Sequence, residues 1–549
     1  MDSQSFHTPS KTPKRTTWLL ALFVLMLGQP ACFKPGLPDV SFRCGTQGQC
    51  PSGYECRSDG CCHRKGSPDV PADYCAPAED AQPADAAEDA GTDAQGDATQ
   101  TDAQPADAAE AADIASIDPS QLIVTEGAQA NLTLHLDRPA QAGGVTVTVS
   151  TNPTGPVTAP ATVTVPGGQT QALLPVTALA SGDATVTATI TSSVQAQVTV
   201  AAATASPGDV VLTEFSALPS GGGIQGEWIE VYNPGPKTYD LSGWVVTIDA
   251  TSANVQAADL TQDPVYLGPG AWAFGVPNPA QATDIPSSAL FVYGQPGSAP
   301  EIPDTGAVLD LSDGSGLVDQ VSISTLVSDP NATVGATEFP GIADRSTQLD
   351  PSCLTAASND SPKCWCVPAM PTPGTANPSC LADLVINEAM PDPGAQDDRL
   401  EFVELHGTAG ADLTGVRIRW ASGDGTVVGS FTLADRMPND GYWVLADDNG
   451  GQTLVANADN QAVLGLADEA GGIQLLLPDS TAADALGYGA LWSTTDKTDG
   501  WPLVETTLND VVALATGYAL ARDAQSTDTN HNADDFHSVN ATPGVRNQP

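Results

Sequence analysis

The strongest constraint on the fold is a segment that the sequence contains twice. Residues 227–232, EWIEVY, recur as residues 401–406, EFVELH. Each copy follows an apolar stretch that ends in a glutamate and precedes an Asp-Leu-Ser/Thr-Gly turn. Each copy is also followed, much later, by Thr-Pro-Gly and an asparagine, in residues 372–377 and 542–547. We therefore expect two copies of one domain in tandem.

Alternation of side chains predicts that the repeated segment is a β-strand. In the first copy Ile229 and Val231 share one face, and Trp228, Glu230 and Tyr232 share the other. The 52 glycines and 45 prolines favour short strands joined by turns. At 549 residues the chain is too long for one core, so we predict an all-β protein with several sandwich domains.

A separate sandwich is predicted before the tandem pair, over residues 114–203. The period of the sequence switches to two there and predicts about seven strands, at residues 122–125, 132–136, 145–149, 162–165, 172–176, 184–190 and 198–200. Seven alternating strands at this spacing are typical of an immunoglobulin-like sandwich, and the segment resembles bacterial Ig-like domains of surface proteins. His135 lies within one of these strands and is interpreted as a packed residue.

The duplicated elements resemble the lamin tail domain found in many secreted bacterial proteins. The resemblance rests on the strand ending in Glu, the EWIEVYNP segment and the DLSGW turn, and it covers residues 207–380 and 381–549. It implies two further Ig-like β-sandwiches with structural or binding roles, in a family that often accompanies surface-bound hydrolases. The second copy departs from the first at His406 and Gly407, where the first has Tyr232 and Asn233.

The repeated glutamates are the main candidate functional residues: Glu214, Glu227, Glu230, Glu388, Glu401 and Glu404. If their face is buried, each carboxylate must be hydrogen-bonded or bound to a cation. Paired carboxylates serve acid/base catalysis or bind Ca²⁺. The simpler hypothesis, which we favour, is that loop N–H groups satisfy them and fix a corner of each sandwich.

A second candidate is a possible calcium site at Asp528, Asn530, Asn532 and Asp534, whose alternating oxygens resemble a calcium loop. The glycine for the sharp turn and the closing glutamate are missing, and a run of Asx turns explains the pattern as well. The matching region of the first copy has four cysteines, for which we expect disulfides that replace this loop: Cys353, Cys364, Cys366 and Cys380.

The N-terminal region predicts export and lipid attachment. Residues 1–31 combine a basic start with an apolar stretch too short to span a bilayer comfortably, as in a signal peptide. Cys32 follows a small residue, as in bacterial lipoproteins, although Gln29 and Pro30 are unusual there. The alternative is ordinary secretion, with Cys32 as an odd thiol. Of the eleven cysteines, removing Cys32 leaves two even clusters, which favours lipidation.

Residues 32–75 are predicted to form a cap held by disulfides, because the segment is too short to bury much apolar surface. Its cysteines are Cys44, Cys50, Cys56, Cys61, Cys62 and Cys75. A zinc site is the weaker interpretation in an exported protein without a CxxC pair. Residues 50–56, CPSGYEC, resemble the short caps of myxobacterial-type surface lipoproteins.

Residues 76–113 are predicted to be a disordered acidic linker, since they are rich in Asp and Ala and lack aromatic residues. The net charge of −47 argues against nucleic acid as a partner, because two polyanions repel each other. The predicted partners are a membrane, through the lipid, and an unidentified extracellular protein or polysaccharide. The predicted location is the cell surface, at the outer membrane.

Catalytic motifs are absent from the sequence. It contains no HExxH, no Gly-x-Ser-x-Gly and no phosphate-binding glycine loop, and its six histidines are scattered. We therefore predict a non-enzymatic binding, adhesion or structural module with no cofactor, calcium being the one possible addition. The alternative is a surface hydrolase or a calcium-dependent binder that uses the repeated glutamates.

Overall fold

The described part of the chain is built almost wholly of β-strands, which confirms the predicted all-β fold of Ig-like sandwiches. The computed structural model describes residues 40–43, 54–56, 61–64, 111–220, 226–258, 264–279, 286–329, 332–394, 398–448 and 453–548. The predicted signal peptide, Cys32 and the acidic linker up to residue 110 lie outside these residues. The predicted domain boundaries stay predictions.

The described strands belong to two compact units, one within residues 1–105 and one within residues 106–549. The first unit has a small antiparallel sheet in the order β1-β3-β2. Its strands are β1 Val40–Arg43, β2 Tyr54–Cys56 and β3 Cys61–Arg64. No helix in the described part of the chain has the length and apolarity that crossing a bilayer requires.

The second unit begins with a sandwich of two sheets, β4-β6-β10-β8 and β5-β12-β11-β7-β9. Nine strands build it, two more than the seven stretches predicted: β4 Ile114–Asp118, β5 Gln121–Thr125, β6 Gln129–Leu136, β7 Val145–Asn152, β8 Val157–Thr158, β9 Thr162–Val165, β10 Gln171–Ala178, β11 Gly182–Thr189 and β12 Ser193–Ala201. Their alternating aliphatic residues form one core between the sheets.

The first copy of the repeat has one ten-stranded array in the order β22-β21-β16-β17-β20-β19-β14-β13-β25-β26, and two small strand pairs, β15-β18 and β23-β24. Its strands are β13 Val211–Ser216, β14 Trp228–Tyr232, β15 Tyr239–Asp240, β16 Val245–Ile248, β17 Thr251–Ala257, β18 Tyr266–Leu267, β19 Trp272–Pro277, β20 Phe291–Tyr293, β21 Val308–Ser312, β22 Leu317–Ser322, β23 Leu326–Val327, β24 Phe339–Pro340, β25 Thr347–Leu349 and β26 Trp365–Cys366. Short 3-10 turns lie at Pro351–Cys353 and Pro362–Cys364.

The second copy forms sheets β32-β31-β28-β27-β35-β36 and β30-β29-β33-β34. Its elements are β27 Val385–Met390, β28 Phe402–His406, β29 Arg417–Ser422, β30 Val427–Thr432, β31 Tyr442–Asp447, β32 Asn460–Ala462, β33 Ala470–Leu476, β34 Ala482–Gly489, β35 Ala519–Ala521, the one-turn helix α1 Asn532–Asp535 and β36 His537–Val539. Short 3-10 turns lie at Asp398–Leu400 and Leu508–Asp510.

Both copies place the duplicated segment in the same position. Strand β14 pairs with β13 and β19, and β28 pairs with β27 and β31. The register shifts at the same place in both hairpins, between Leu212 and Glu214 and between Ile386 and Glu388. Ile229 and Val231 enter the main core, as the alternation of the sequence predicts.

Arg436 links the second copy to the first through hydrogen bonds. Its guanidinium is buried and donates to the carbonyls of Gly335 (3.3 Å), Glu338 (2.6 Å) and Trp365 (2.7 Å) in the first copy. It also donates to the carbonyl of Gly410 in its own copy, at 2.9 Å. Removing this side chain would leave several buried carbonyls without a donor, so the junction depends on it.

We predict that Arg436→Met weakens the junction by about 3–5 kcal/mol, because the lost bonds are buried and formed by a charged donor. Scanning calorimetry of the full chain should show the two copies melting in separate steps. The matched control is Lys363→Met, which removes a partly exposed pair with Asp412 at 3.4 Å and a hydrogen bond to the Thr414 hydroxyl at 2.9 Å, and should change the profile little. Equal effects of the two substitutions would contradict the role given to Arg436.

Candidate functional site

The repeated glutamates are buried, and the structure brings two of them together in each copy. Glu214 lies directly opposite Glu230 in the β13–β14 hairpin, and Glu388 lies opposite Glu404 in the β27–β28 hairpin. None of the four side chains is more than 1% exposed. Because each is isolated from water, its hydrogen-bond donors decide what it can do.

In the first copy the pair binds the Thr-Pro-Gly segment. Glu214 accepts from the backbone N–H of Thr372 at 3.1 Å, from its hydroxyl at 3.0 Å and from the hydroxyl of Ser346. Glu230 accepts from the N–H of Gly374 at 2.6 Å and from the hydroxyl of Thr213 at 2.9 Å. The two carboxylates thus hold both ends of one tight turn.

The second copy repeats this arrangement. Glu388 accepts from the N–H of Thr542 at 2.9 Å and from its hydroxyl at 3.0 Å. Glu404 accepts from the N–H of Gly544 at 2.6 Å and from the amide of Asn387 at 2.6 Å. We call each set of paired glutamates with its Thr-Pro-Gly segment a carboxylate corner. The sequence showed both partners but not that they meet.

An asparagine completes each corner. Asn377 donates to the carbonyls of Thr213 (2.9 Å) and Leu349 (3.0 Å), and Asn547 donates to the carbonyl of Arg522 at 2.9 Å. Each asparagine also accepts from the threonine hydroxyl of its own Thr-Pro-Gly segment. The late Thr-Pro-Gly and asparagine of the sequence are therefore one structural unit with the early glutamates.

The third glutamate of each copy does not join its corner. Glu227 accepts from the N–H of Ile302 at 2.9 Å, and Glu401 accepts from the N–H of Leu466, also at 2.9 Å. Both side chains are buried. Each fixes a separate loop to the start of the duplicated strand, again through a backbone amide.

Burial raises the pKa of these carboxyl groups. The pKa rises to about 8 for Glu230 and for Glu404, and to about 7 for Glu388 and for Glu227, with burial as the main cause. Repulsion from the paired carboxylate adds to the rise at Glu230 and at Glu404. Raised pKa values would suit a general acid, but such an acid must reach a substrate, and these groups are enclosed by their own loops.

We predict that Glu388→Gln leaves stability within about 1 kcal/mol of wild type, while Glu388→Ala loses about 3 kcal/mol. A glutamine oxygen accepts from the Thr542 N–H, and its amide donates to the Thr542 hydroxyl, which can turn toward Asn547. Alanine leaves the backbone N–H of Thr542 without an acceptor and removes the packing of the glutamate side chain. Urea unfolding at pH 7 measures both values.

Glu388→Gln should also change how the stability of the protein depends on pH. Because the folded pKa of Glu388 and of Glu404 exceeds the unfolded value, their contribution to stability is complete below about pH 4.5 and is lost as pH rises through about 7 to 8. Glu388→Gln removes one titrating group and the repulsion on Glu404, so the loss between pH 5 and pH 8.5 should shrink. Exposed Glu126→Gln is the control and should leave the profile unchanged.

The four residues of the predicted calcium loop point in different directions. Asn532 is buried and binds the strand β34 backbone, accepting from Gly487 N–H at 3.0 Å and donating to the Ala485 carbonyl at 2.7 Å. Asn530 and Asp534 are exposed. Asp528 accepts from the N–H of Asn530 at 3.0 Å, which is an Asx turn. This geometry favours the Asx-turn hypothesis over a calcium loop.

A buried arginine takes the central place in this region, which the sequence did not predict. Arg522 donates to Asp484, Asp528 and Asp535 at 3.0, 3.2 and 3.0 Å, and Glu505 lies 3.8 Å away. Among the described residues, Asp484, Glu505 and Asp528 form the group of carboxylates close enough to share a metal ion. The guanidinium of Arg522 already supplies, beside Asp484 and Asp528, the positive charge that a metal ion would bring.

The first copy closes the corresponding loop with covalent bonds. Disulfides join Cys353 to Cys364 and Cys366 to Cys380, so the four cysteines expected to form disulfides do so. The buried side chain of Asn359, between the first two cysteines, binds Asp319 and the carbonyl of Leu212. The side chains of the N-terminal cysteines lie outside the described residues.

We predict that Arg522→Met costs about 3–5 kcal/mol, because it leaves Asp484 and Asp535 buried without their counter-charge. Thermal melting of the full chain measures the loss, and Arg138→Met, which removes an exposed pair with Asp137, should cost less than about 1 kcal/mol. With the guanidinium in place, millimolar Ca²⁺ should leave the wild-type melting temperature unchanged. A rise on adding Ca²⁺ would restore the calcium hypothesis.

An open cleft lies where the two copies meet. Its volume is about 320 Å³, and its lining includes Arg345 from the first copy and Asp383, His406 and Asp440 from the second. Burial lowers the pKa of His406, which favours the neutral form of the imidazole. The ring of His406 lies 5.0 Å from that of Tyr442. The cleft therefore presents both charges and a neutral imidazole to a ligand.

Comparison with known proteins gives no family. No protein-family model matches the chain, and none of the curated proteins matches it. The resemblance to lamin tail domains therefore stays a prediction.

Solved structures with partial similarity to this chain include the following three. Domains 4 and 5 of the S-layer protein SbsC align at 24% identity over 16% of this chain and 50% of that one, with a TM-score of 0.13. The D0-D1 domain of intimin aligns at 11% identity over 38% and 97%, with a TM-score of 0.15. A DUF4876 family protein from Bacteroides thetaiotaomicron aligns at 8% over 44% and 86%, with a TM-score of 0.17. At such scores the fold assignment rests on this chain's own sheets.

Proposed function

We propose that this protein is an exported surface lipoprotein whose sandwiches act as a non-enzymatic binding or structural module. The observation that carries the proposal is the closure of both carboxylate corners. The paired glutamates accept hydrogen bonds from the backbone amides of Thr372, Gly374, Thr542 and Gly544. The glutamates therefore stabilise the fold. This arrangement argues against a hydrolase that would use them, because a substrate could not reach the carboxylates.

The cleft between the two copies is the proposed place of binding. Ligand sites favour concave surfaces between domains, and here Arg345 from one copy faces charged residues of the other. The fixed junction at Arg436 keeps the two walls in one arrangement, which lowers the entropy lost on binding. The proposed ligand is a polar segment of an extracellular protein or a polysaccharide.

Binding is tested with the full chain against immobilised polysaccharide and protein fractions of the cell surface. Arg345→Gln should lower affinity for the bound fraction by about tenfold, the usual size of one lost charged contact. Lys237→Gln, a change at an exposed lysine away from the cleft, is the matched control. Equal binding by all three proteins would exclude the cleft as the binding site.

Lipid attachment has its own test, separate from binding. We predict that Cys32→Ser moves the exported protein from the membrane fraction to the soluble fraction, because the lipid is its proposed anchor. Cell fractionation followed by detergent phase partition measures the change. Retention of the Cys32→Ser protein in the membrane fraction would contradict the lipoprotein assignment and leave the cleft proposal untouched.

A further inference from the structure

A buried aspartate and asparagine in the first copy each have one oxygen without a partner. Asp319 on β22 uses Oδ2 to accept from the N–H of Leu212 and from the side-chain amide of Asn359, both at 2.7 Å. Oδ1 of Asp319 and Oδ1 of Asn359 are buried and accept no hydrogen bond of normal geometry among the described residues, although the backbone N–H of Gln320 is near enough to Asp319 to lower its pKa. Burying two acceptor oxygens that receive no hydrogen bond destabilises the folded state, unless a donor is placed between them.

In the second copy Oδ1 of the equivalent Asp484 accepts from the backbone N–H of Ala485 at 2.6 Å, and a charged group lies beside Oδ2. Asp484 accepts from the N–H of Ile386 at 2.7 Å, as Asp319 does from Leu212. The group beside it is the guanidinium of Arg522, which donates to Asp484 at 3.0 Å and to the Ile386 carbonyl at 2.8 Å. In the first copy the neutral amide of Asn359 makes the matching bonds to Asp319 and to the Leu212 carbonyl. The first copy therefore lacks the positive charge.

Neighbouring groups do not supply that charge. Burial raises the pKa of Asp319 to about 7, and repulsion from Asp360 adds to the rise. The other charged groups on the surrounding elements have partners of their own: Asp209 with Ser206, Glu214 with Thr372, Asp310 with Gln320, Asp350 with Ser352, and Lys363 with Asp412.

We propose that Asp319 and Asn359 form a proton-operated latch, in which a neutral Asp319 donates Oδ1–H to Oδ1 of Asn359. One proton from water satisfies both unpartnered oxygens and closes a ring of two hydrogen bonds between acid and amide. A calcium ion would need six to eight oxygens, and only two are free at this place. Loss of the proton returns it to water and leaves a carboxylate oxygen facing a carbonyl oxygen.

The latch lies under the loop that contacts the second copy. The carbonyl of Asn359 accepts from the indole N–H of Trp365 at 2.7 Å, and the carbonyl of Trp365 accepts from Arg436 at 2.7 Å. The disulfide between Cys353 and Cys364 brackets Asn359. Opening the latch is therefore expected to loosen the junction, and with it the cleft.

The direction of the pH effect follows from the raised pKa of Asp319. The folded pKa of Asp319 lies above its ordinary value of 3.8, so its contribution to stability is complete below about pH 3.8 and is lost as pH rises through about 7. The junction should thus be tightest in mildly acidic surroundings. The glutamates of the carboxylate corners also titrate in this range, so the latch must be isolated by a substitution at Asp319 itself.

The test compares Asp319→Asn with Asp484→Asn in the full chain. An asparagine at 319 accepts from Leu212 and Asn359 and donates its own amide to Asn359, as the neutral acid does. Asp319→Asn should melt within about 1 °C of wild type at pH 5 and at least about 3 °C above it at pH 8.5. Asp484→Asn breaks the pair with Arg522 and should melt below wild type at both pH values.

Hydrogen exchange measures the junction directly. Between pH 5 and pH 8.5, after correction for intrinsic rates, wild-type protection of residues 361–368 should fall at least about tenfold, and that of Asp319→Asn should not. The proposal is overturned if Asp319→Asn fails to fold, or if it differs from wild type equally at both pH values. A rise in melting temperature with Ca²⁺ in wild type but not in Asp319→Asn would assign the position to a metal ion instead.

Discussion

A carboxylate removed from water without a cation beside it needs hydrogen-bond donors, and this requirement organises both copies of the repeat. Glu214 and Glu230 obtain their donors from a segment that follows more than a hundred residues later, and Glu388 and Glu404 do the same. The end of each copy is therefore bonded to its first hairpin. A sandwich closed in this way cannot lose its last segment without leaving the buried carboxyl groups of its first hairpin without their donors.

The sequence was sufficient to predict the all-β fold, whereas for the glutamates it left backbone N–H groups, a cation and catalysis open. Alternation placed Ile229 and Val231 on one face of a strand, and burial of Glu230 required either donors or a cation. The donor itself could not be predicted, because no local pattern links Gly374 to Glu230 across the chain. Strands β4 and β8 were missed because one has few aliphatic residues and the other only two residues in all.

Arg522 shows why the second candidate site was harder to predict. The alternating Asp and Asn residues near 530 suggest oxygen ligands, but Asn532 turns inward to the backbone of β34, and Asp528 pairs with the guanidinium. The two copies also use different means at equivalent places. A disulfide restrains the unfolded chain, whereas the ion cluster around Arg522 acts only once folding has brought Asp484 and Asp535 together.

Every group that receives a hydrogen bond from Arg436 is a main-chain carbonyl. Backbone carbonyls are the same whatever side chain a residue carries. Substitutions in the first copy at Gly335, Glu338 or Trp365 that preserve the path of the chain would therefore leave the acceptors in place. Evolutionary constraint on the junction should therefore fall more heavily on the second copy, where Arg436 and Asn439 donate to main-chain carbonyls of the first, while the side chains around those carbonyls are freer to vary.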